Sequence, residues 1–171
     1  MIQKPLIPAM LKSDLITPQG YQKLQDELDY LWRVKRPEVT RSVSEAAAQG
    51  DRSENAEYIY GKKLLREIDR RVRFLQKRLP ELRVIHDKPT DQSRIFFGAW
   101  VSLEDINTEE NLKLRIVGCD EIDPQKHWIS IEAPMAKALL KKTIDDEVIV
   151  ERPAGKAIFI VLDVSYFQVA D

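Results

Sequence analysis

Apolar residues recur at helical spacing twice in the first half of the chain, and after that they alternate. After the turn-like ITPQG, Tyr21, Leu24, Leu28 and Leu31 follow one another in steps of three and four. Thr17 and Pro18 supply a start signal: a capping hydroxyl, then a proline where a missing N–H does no harm. The stripe shifts near Lys35 and resumes at Val39, Val43 and Ala46 or Ala47. Pro37 inside it predicts a kink or local break. The second stripe is cleaner. Tyr58, Gly61, Leu65, Ile68, Val72, Leu75 and Leu79 keep coiled-coil spacing and stop at Pro80. Two such helices joined by a few residues must lie antiparallel, so the expectation is a helical hairpin. A helix from Pro18 to about Ala48 would be roughly 45 Å long at about 1.5 Å per residue, which carries the joining tip far from the other end.

From about Ile95 the pattern is that of strands. RIFFGAWVSL, LKLRIVG, HWISI, DEVIVE and AIFIVLDVSYFQV are rich in β-branched and aromatic residues and are separated by turn signals. One helix interrupts them, PMAKALLKK, with Pro134 in its first turn. The fold class is α+β in two domains: an N-terminal antiparallel coiled-coil hairpin and a mostly antiparallel sheet with one helix on it. Residues 1–14 read as an extension, 15–83 as the hairpin, 84–93 as a linker and 94–171 as the sheet domain. No repeat or low-complexity segment appears.

Composition narrows the class. The chain has 171 residues, 43% hydrophobic and 32% charged, with no apolar run long enough to span a membrane. The opening MIQKPLIPAMLKSDLITP is broken by prolines and charges, unlike a signal peptide. Cys119 is the single cysteine, so no internal disulfide can form, which fits a reducing cytoplasm. It lies in the apolar LRIVGCD and reads as a core or near-core residue. His86 and His127 have no cysteine or carboxylate at metal-ligand spacing, which argues against structural zinc. Net charge is −1, but its distribution is uneven. Between Lys62 and Arg78 stand eight basic residues against Glu67 and Asp69. Solvated helix faces usually mix signs with i,i+4 pairing, so this excess points to a polyanion. Aromatics do not interleave the stripe, which argues against sequence-specific single-strand recognition.

The tip itself reads GDRSENAEY, residues 50–58. Asp51 or Ser53 could cap the second helix, Asp51-x-x-Glu54 resembles a capping box, and Gly50 would supply a permissive turn. Equally, Asp51 and Glu54 at a helix start would point the same way and could jointly hold a divalent cation. Two carboxylates alone make a poor Mg²⁺ site, so the tip would complete a site belonging to another molecule. Capping and cation binding can hold at once.

GDRSENAEY, KKLLREIDRRVRFLQKR, FFGAWV, RIVGCDEID, ISIEAPMAKALLKK and PAGKAIFIV together resemble the bacterial Gre transcript-cleavage factors, over about Leu15 to Phe167. YLWRVKRPEVT and FFGAW resemble the arginine- and tryptophan-bearing branch of that family. The resemblance implies a coiled coil that enters the secondary channel of RNA polymerase and an FKBP-like domain docked on the rim helices of the largest subunit. It implies a monomeric factor that stimulates the polymerase's own cleavage of backtracked RNA and is no nuclease by itself. Asp51 and Glu54 would be the catalytic acids, sharing a second Mg²⁺ with the polymerase, and the isolated protein would bind no cofactor. Lys62, Lys63, Arg66 and Arg70 would contact the RNA 3′ segment. Tyr58 would either meet RNA or brace the tip. Glu132, Pro134 and Met135 would touch the polymerase, with Glu132 where aspartate or serine is common. The rival readings are a prolyl isomerase, a channel blocker without cleavage, and a stand-alone RNA-binding hairpin. For the first, Trp100, Trp128, Phe159 and Tyr166 are spread along strands as core packing would place them.

Overall fold

The computed structural model describes residues 13–50 and 52–167. The chain divides into two compact units, Pro18–Leu82 and the remainder.

The first unit is the hairpin. Helix α1 (Pro18–Tyr30) runs through a π-helical turn (Leu31–Lys35) into α2 (Arg36–Ala47), and α3 (Ala56–Arg78) returns. The expected break at Pro37 takes the form of this turn. Proline has no N–H to donate and its ring crowds the carbonyl four residues back. The Arg36 N–H reaches back five residues to the Leu31 carbonyl, which widens the helix just before the proline. The wider turn also absorbs the shift in the stripe, because an extra residue in a π-bulge rotates the following face. Val39, Ile68 and Val72 are buried together, with Leu28, Leu31, Val43, Leu64 and Leu65 packed around them. Gly61 sits in the seam, where a Cβ would stand 2.7 Å from Val43 Cγ2. Glycine is what lets the two backbones approach there.

The second unit is a five-stranded sheet in the order β5-β4-β3-β7-β6. Its strands are β3 (Trp100–Asp105), β4 (Asn111–Val117), β5 (Trp128–Ser130), β6 (Glu147–Arg152) and β7 (Gly155–Ser165). All pairs are antiparallel except β4–β5, which is parallel. Helix α4 (Pro134–Leu139) is shorter than the PMAKALLKK pattern suggested. It packs Ala136 and Leu139 against Val101, Leu103, Leu114, Ile116, Phe159 and Val161 in the core. Of the four aromatics expected in the core, only Phe159 is there. The correction follows from strand alternation: Trp100 and Trp128 neighbour core residues Val101 and Ile129 in sequence and so face the other side of the sheet. Tyr166 packs at the core's edge, where its hydroxyl donates to the Arg94 carbonyl and accepts from the Phe96 N–H. Cys119 is half-buried, its Sγ 3.2 Å from Ser130 Oγ.

A small parallel sheet was not foreseen. β1 (Leu15–Ile16) pairs with β2 (Arg83–Val84), so residues 15–17 belong with the sheet unit rather than with the hairpin. Their neighbour Glu121 is buried and accepts from Thr17 N–H at 3.0 Å, from Gly118 N–H at 2.8 Å and from the Thr17 hydroxyl. A carboxylate held by three neutral donors does its work as an acceptor, not as a charge.

Glu121→Ala should therefore cost about 2–4 kcal/mol, because two buried amides lose their acceptor. Glu121→Gln should cost under about 1 kcal/mol. One carbonyl oxygen can serve both amides, and the threonine hydroxyl can turn to accept from the new NH₂. Urea unfolding of the two variants checks this; equal losses would mean the negative charge itself is required.

Candidate functional site: the hairpin tip and the outer face of α3

The tip is built by two helix ends. α2 closes at Ala47, Gln49 N–H donates to the Ala46 carbonyl at 3.2 Å, and Gly50 turns the chain at φ +123°. Only glycine adopts that backbone without strain. α3 then begins at Ala56, later than the sequence suggested, and its N-cap is Asn55. The Asn55 Oδ1 accepts from Tyr58 N–H at 3.1 Å, and its Nδ2 donates to the Ala46 carbonyl at 2.8 Å. One side chain thus caps the returning helix and ties it to the outgoing one.

This corrects the capping-box reading. The helix starts after Asn55, which is its cap in place of Ser53, and Glu54 lies in the turn rather than in the first helical turn. Glu54 is exposed. Asp51 lies outside the described residues. Asn55 is the residue that sequence reasoning missed. The available signal was an asparagine three positions before Tyr58, the first residue of the apolar stripe, a better cap position than Asp51. Tyr58 is half-buried with the Arg52 guanidinium 5.9 Å from its ring centre.

Along α3 the fold sorts the eight cations. Arg71 donates to Glu27 at 2.6 and 2.8 Å, and these hydrogen bonds hold the Glu27 carboxyl below its ordinary range. Arg78 pairs with Glu81 at 3.8 Å. Asp69 in turn is taken by Arg36 of α2 at 2.7 Å. What remains is Lys62, Lys63, Arg66, Arg70, Arg73 and Lys77 against Glu67. Lys63, Arg66, Arg70, Arg73 and Lys77 recur in steps of three and four opposite the buried seam of Gly61, Ile68, Val72 and Leu75. Arg66, Asp69, Arg70 and Arg73 line an open cleft of about 320 Å³ on this face. Lys62 is half-buried beside the stripe.

The three residues expected to dock a partner are differently placed. Pro134 is exposed at the start of α4, whereas Met135 packs against the sheet core. Glu132 is engaged: its Oε1 accepts from Ser13 N–H at 2.8 Å. Among the described residues no cluster of three or more His, Cys, Asp or Glu side chains could hold a metal ion. No helix among them is long and apolar enough to cross a membrane.

Two family profiles match the chain: "Transcription elongation factor, N-terminal" over residues 14–84, and "Transcription elongation factor, GreA/GreB, C-term" over residues 89–166. Among curated relatives, the protein named transcription elongation factor GreB in Haemophilus ducreyi is 58% identical over 92% of this chain and 96% of its own. One of the same name in Haemophilus influenzae is 59% identical over 91% of this chain and 96% of its own. The crystal structure of GreA factor homolog 1 of Thermus thermophilus is 25% identical, covering 88% of this chain and 97% of that one, with a TM-score of 0.40.

Asn55→Ala should lose about 1 kcal/mol of stability through the cap alone, and faster amide exchange should appear at Tyr58 and at the neighbouring first-turn amides of α3. Hydrogen exchange followed by NMR checks this. Unchanged protection at those amides would show that another group caps the helix.

Proposed function

The chain belongs to the GreA/GreB family of transcription elongation factors, and on that premise we propose that it enters the secondary channel of RNA polymerase and stimulates hydrolysis of backtracked transcripts. The observation that carries this reading is Glu54, exposed at the end of the hairpin while Asn55 does the capping. A carboxylate not needed by the local fold is available to another molecule.

The roles divide by position. Asp51 and Glu54 offer hard oxygen donors of the kind Mg²⁺ accepts, but too few to hold it alone, so the fit is to a site shared with the polymerase. When bound, that ion supplies Lewis acidity and a bound water for attack on the scissile phosphodiester. The role of the two carboxylates is to position that water. The cation stripe of α3, chiefly Lys62, Lys63, Arg66 and Arg70, neutralises phosphates of the extruded RNA 3′ segment, which makes its contribution salt-dependent. Pro134 serves as the exposed docking point on the rim helices. Hydrolysis takes place in the polymerase, and this protein completes the site.

Asp51→Asn with Glu54→Gln removes both charges while Asn55 keeps the helix capped. Cleavage of a stalled, backtracked complex should fall by at least about a hundredfold, as for loss of a group acting in the transition state. Polymerase binding and thermal unfolding should stay normal, and the variant should inhibit the parent protein by filling the channel. Near-normal cleavage would remove the acids from the mechanism.

Lys63→Glu with Arg66→Glu reverses the outer face without touching the seam. Cleavage of long extruded RNAs should weaken more than that of short ones, and the defect should be larger at low than at moderate salt, where screening weakens the parent's contact as well. Equal activity on long RNAs at low salt would take RNA off this face.

A further inference from the structure

The outer face of the sheet carries a row that the proposed function does not use. The register sets Trp128 of β5 beside Arg115 of β4, and Arg115 beside Trp100 of β3. All three side chains lie on the face opposite the core. The indoles meet edge to face, 6.0 Å apart and 81° to one another. The Arg115 guanidinium lies in the angle between them, 4.8 Å from one ring centre and 5.1 Å from the other.

The arginine is held but not neutralised. Among the described residues its hydrogen-bond partner is the Gly98 carbonyl, 3.4 Å from Nε, and no carboxylate lies within ion-pair distance. Burial disfavours its charge, and Glu121 partly offsets that from a distance. The two rings fix the plane of the fork and strip water from it. Lys126, whose ammonium lies 5.0 Å from the Trp128 ring centre, and the exposed Lys113 of β4 add positive charge nearby. Asp123 answers Lys126 at 3.7 Å, and Asp163 of β7 stands across Ser102 from Lys113. Neither reaches Arg115. A preorganised, partly desolvated guanidinium without a counter-ion is complementary to a carboxylate from outside. Single-stranded RNA fits less well, because base stacking needs open aromatic faces. Here Trp128 is already met by Arg115, Lys126 and Trp100.

We propose that the Trp100–Arg115–Trp128 row is a second docking point of the sheet domain, receiving an Asp or Glu side chain on the surface of the partner polymerase. This rests on the reading above that polymerase is the partner, and it places a contact on a different face from Pro134.

The test uses the full chain with Trp32→Phe, which removes the exposed third tryptophan so that emission reports on Trp100 and Trp128 alone. Hexaglutamate should shift that emission in a salt-sensitive manner, and Arg115→Gln should abolish the shift. Hexauridylate at equal charge should leave it unchanged, since RNA would bind α3 instead. In parallel, Arg115→Gln should weaken binding to core polymerase about tenfold or more and flatten its salt dependence. Arg115→Lys keeps the charge but not the fork, so it should lose most of the affinity while folding normally. No response to hexaglutamate, a larger response to hexauridylate, or parental polymerase affinity in folded Arg115→Lys and Arg115→Gln would each overturn the proposal. If the parent protein binds no polymerase, the functional reading fails, and the hexaglutamate titration still decides whether the row takes carboxylates.

Discussion

Asn55 is the side chain on which the tip depends. A helix leaves its first amides without partners, and a turn between antiparallel helices leaves last-turn carbonyls in the same position. Asn55 answers both, accepting from Tyr58 N–H and donating to the Ala46 carbonyl. The cap is worth only about 1 kcal/mol, but its consequence is larger than its energy. Once an uncharged amide satisfies the helix end, Glu54 is not needed to cap it. The capping amide and the exposed Glu54 carboxylate thus occupy adjacent positions without competing for the same atoms.

The same separation runs down the hairpin. Apolar burial holds the helices together through Val39, Ile68, Val72 and their neighbours, and Gly61 admits the close approach at Val43. Ion pairs bridge the helices beside that seam: Arg36 to Asp69, and Arg71 to Glu27. These exposed or half-exposed pairs add little stability, but they remove particular charges from the surface. Asp69 would otherwise sit among Arg66, Arg70 and Arg73 and cancel part of their field. With Arg36 on it, the outer face stays cationic. The π turn before Pro37 keeps the first helix in register with the second despite a stripe out of step by one residue.

In the sheet unit, charge placement follows burial. Glu121 is held inside by the Thr17 and Gly118 amides, while Arg115, half-buried between two indoles, has no carboxylate within ion-pair distance among the described residues and feels Glu121 only from a distance. The first is satisfied by the fold and is structural. The second is oriented by the fold with a single backbone hydrogen bond, to the Gly98 carbonyl, which suits it to the docking role proposed for it.

Sequence alone determined the periodic parts: two helical stripes, the strand-rich half, the seam residues and the excess of cations after Lys62. Those signals are local, since helix and strand geometry repeat every 3.6 and 2 residues whatever lies across the fold. The break at Pro37 was legible for the same reason, although its π-helical form was not. Tertiary structure decided everything that depended on a partner distant in the chain. Arg71 and Arg70 are adjacent, yet only Arg71 faces Glu27, 44 positions away. Glu121 found Thr17 across 104 positions, and β1 found β2 only because the hairpin returns the chain to where it began. Trp100 and Trp128 looked like core residues because hydrophobicity does not say which face of a strand is buried. The register across three strands settled that, and it placed Arg115 between them.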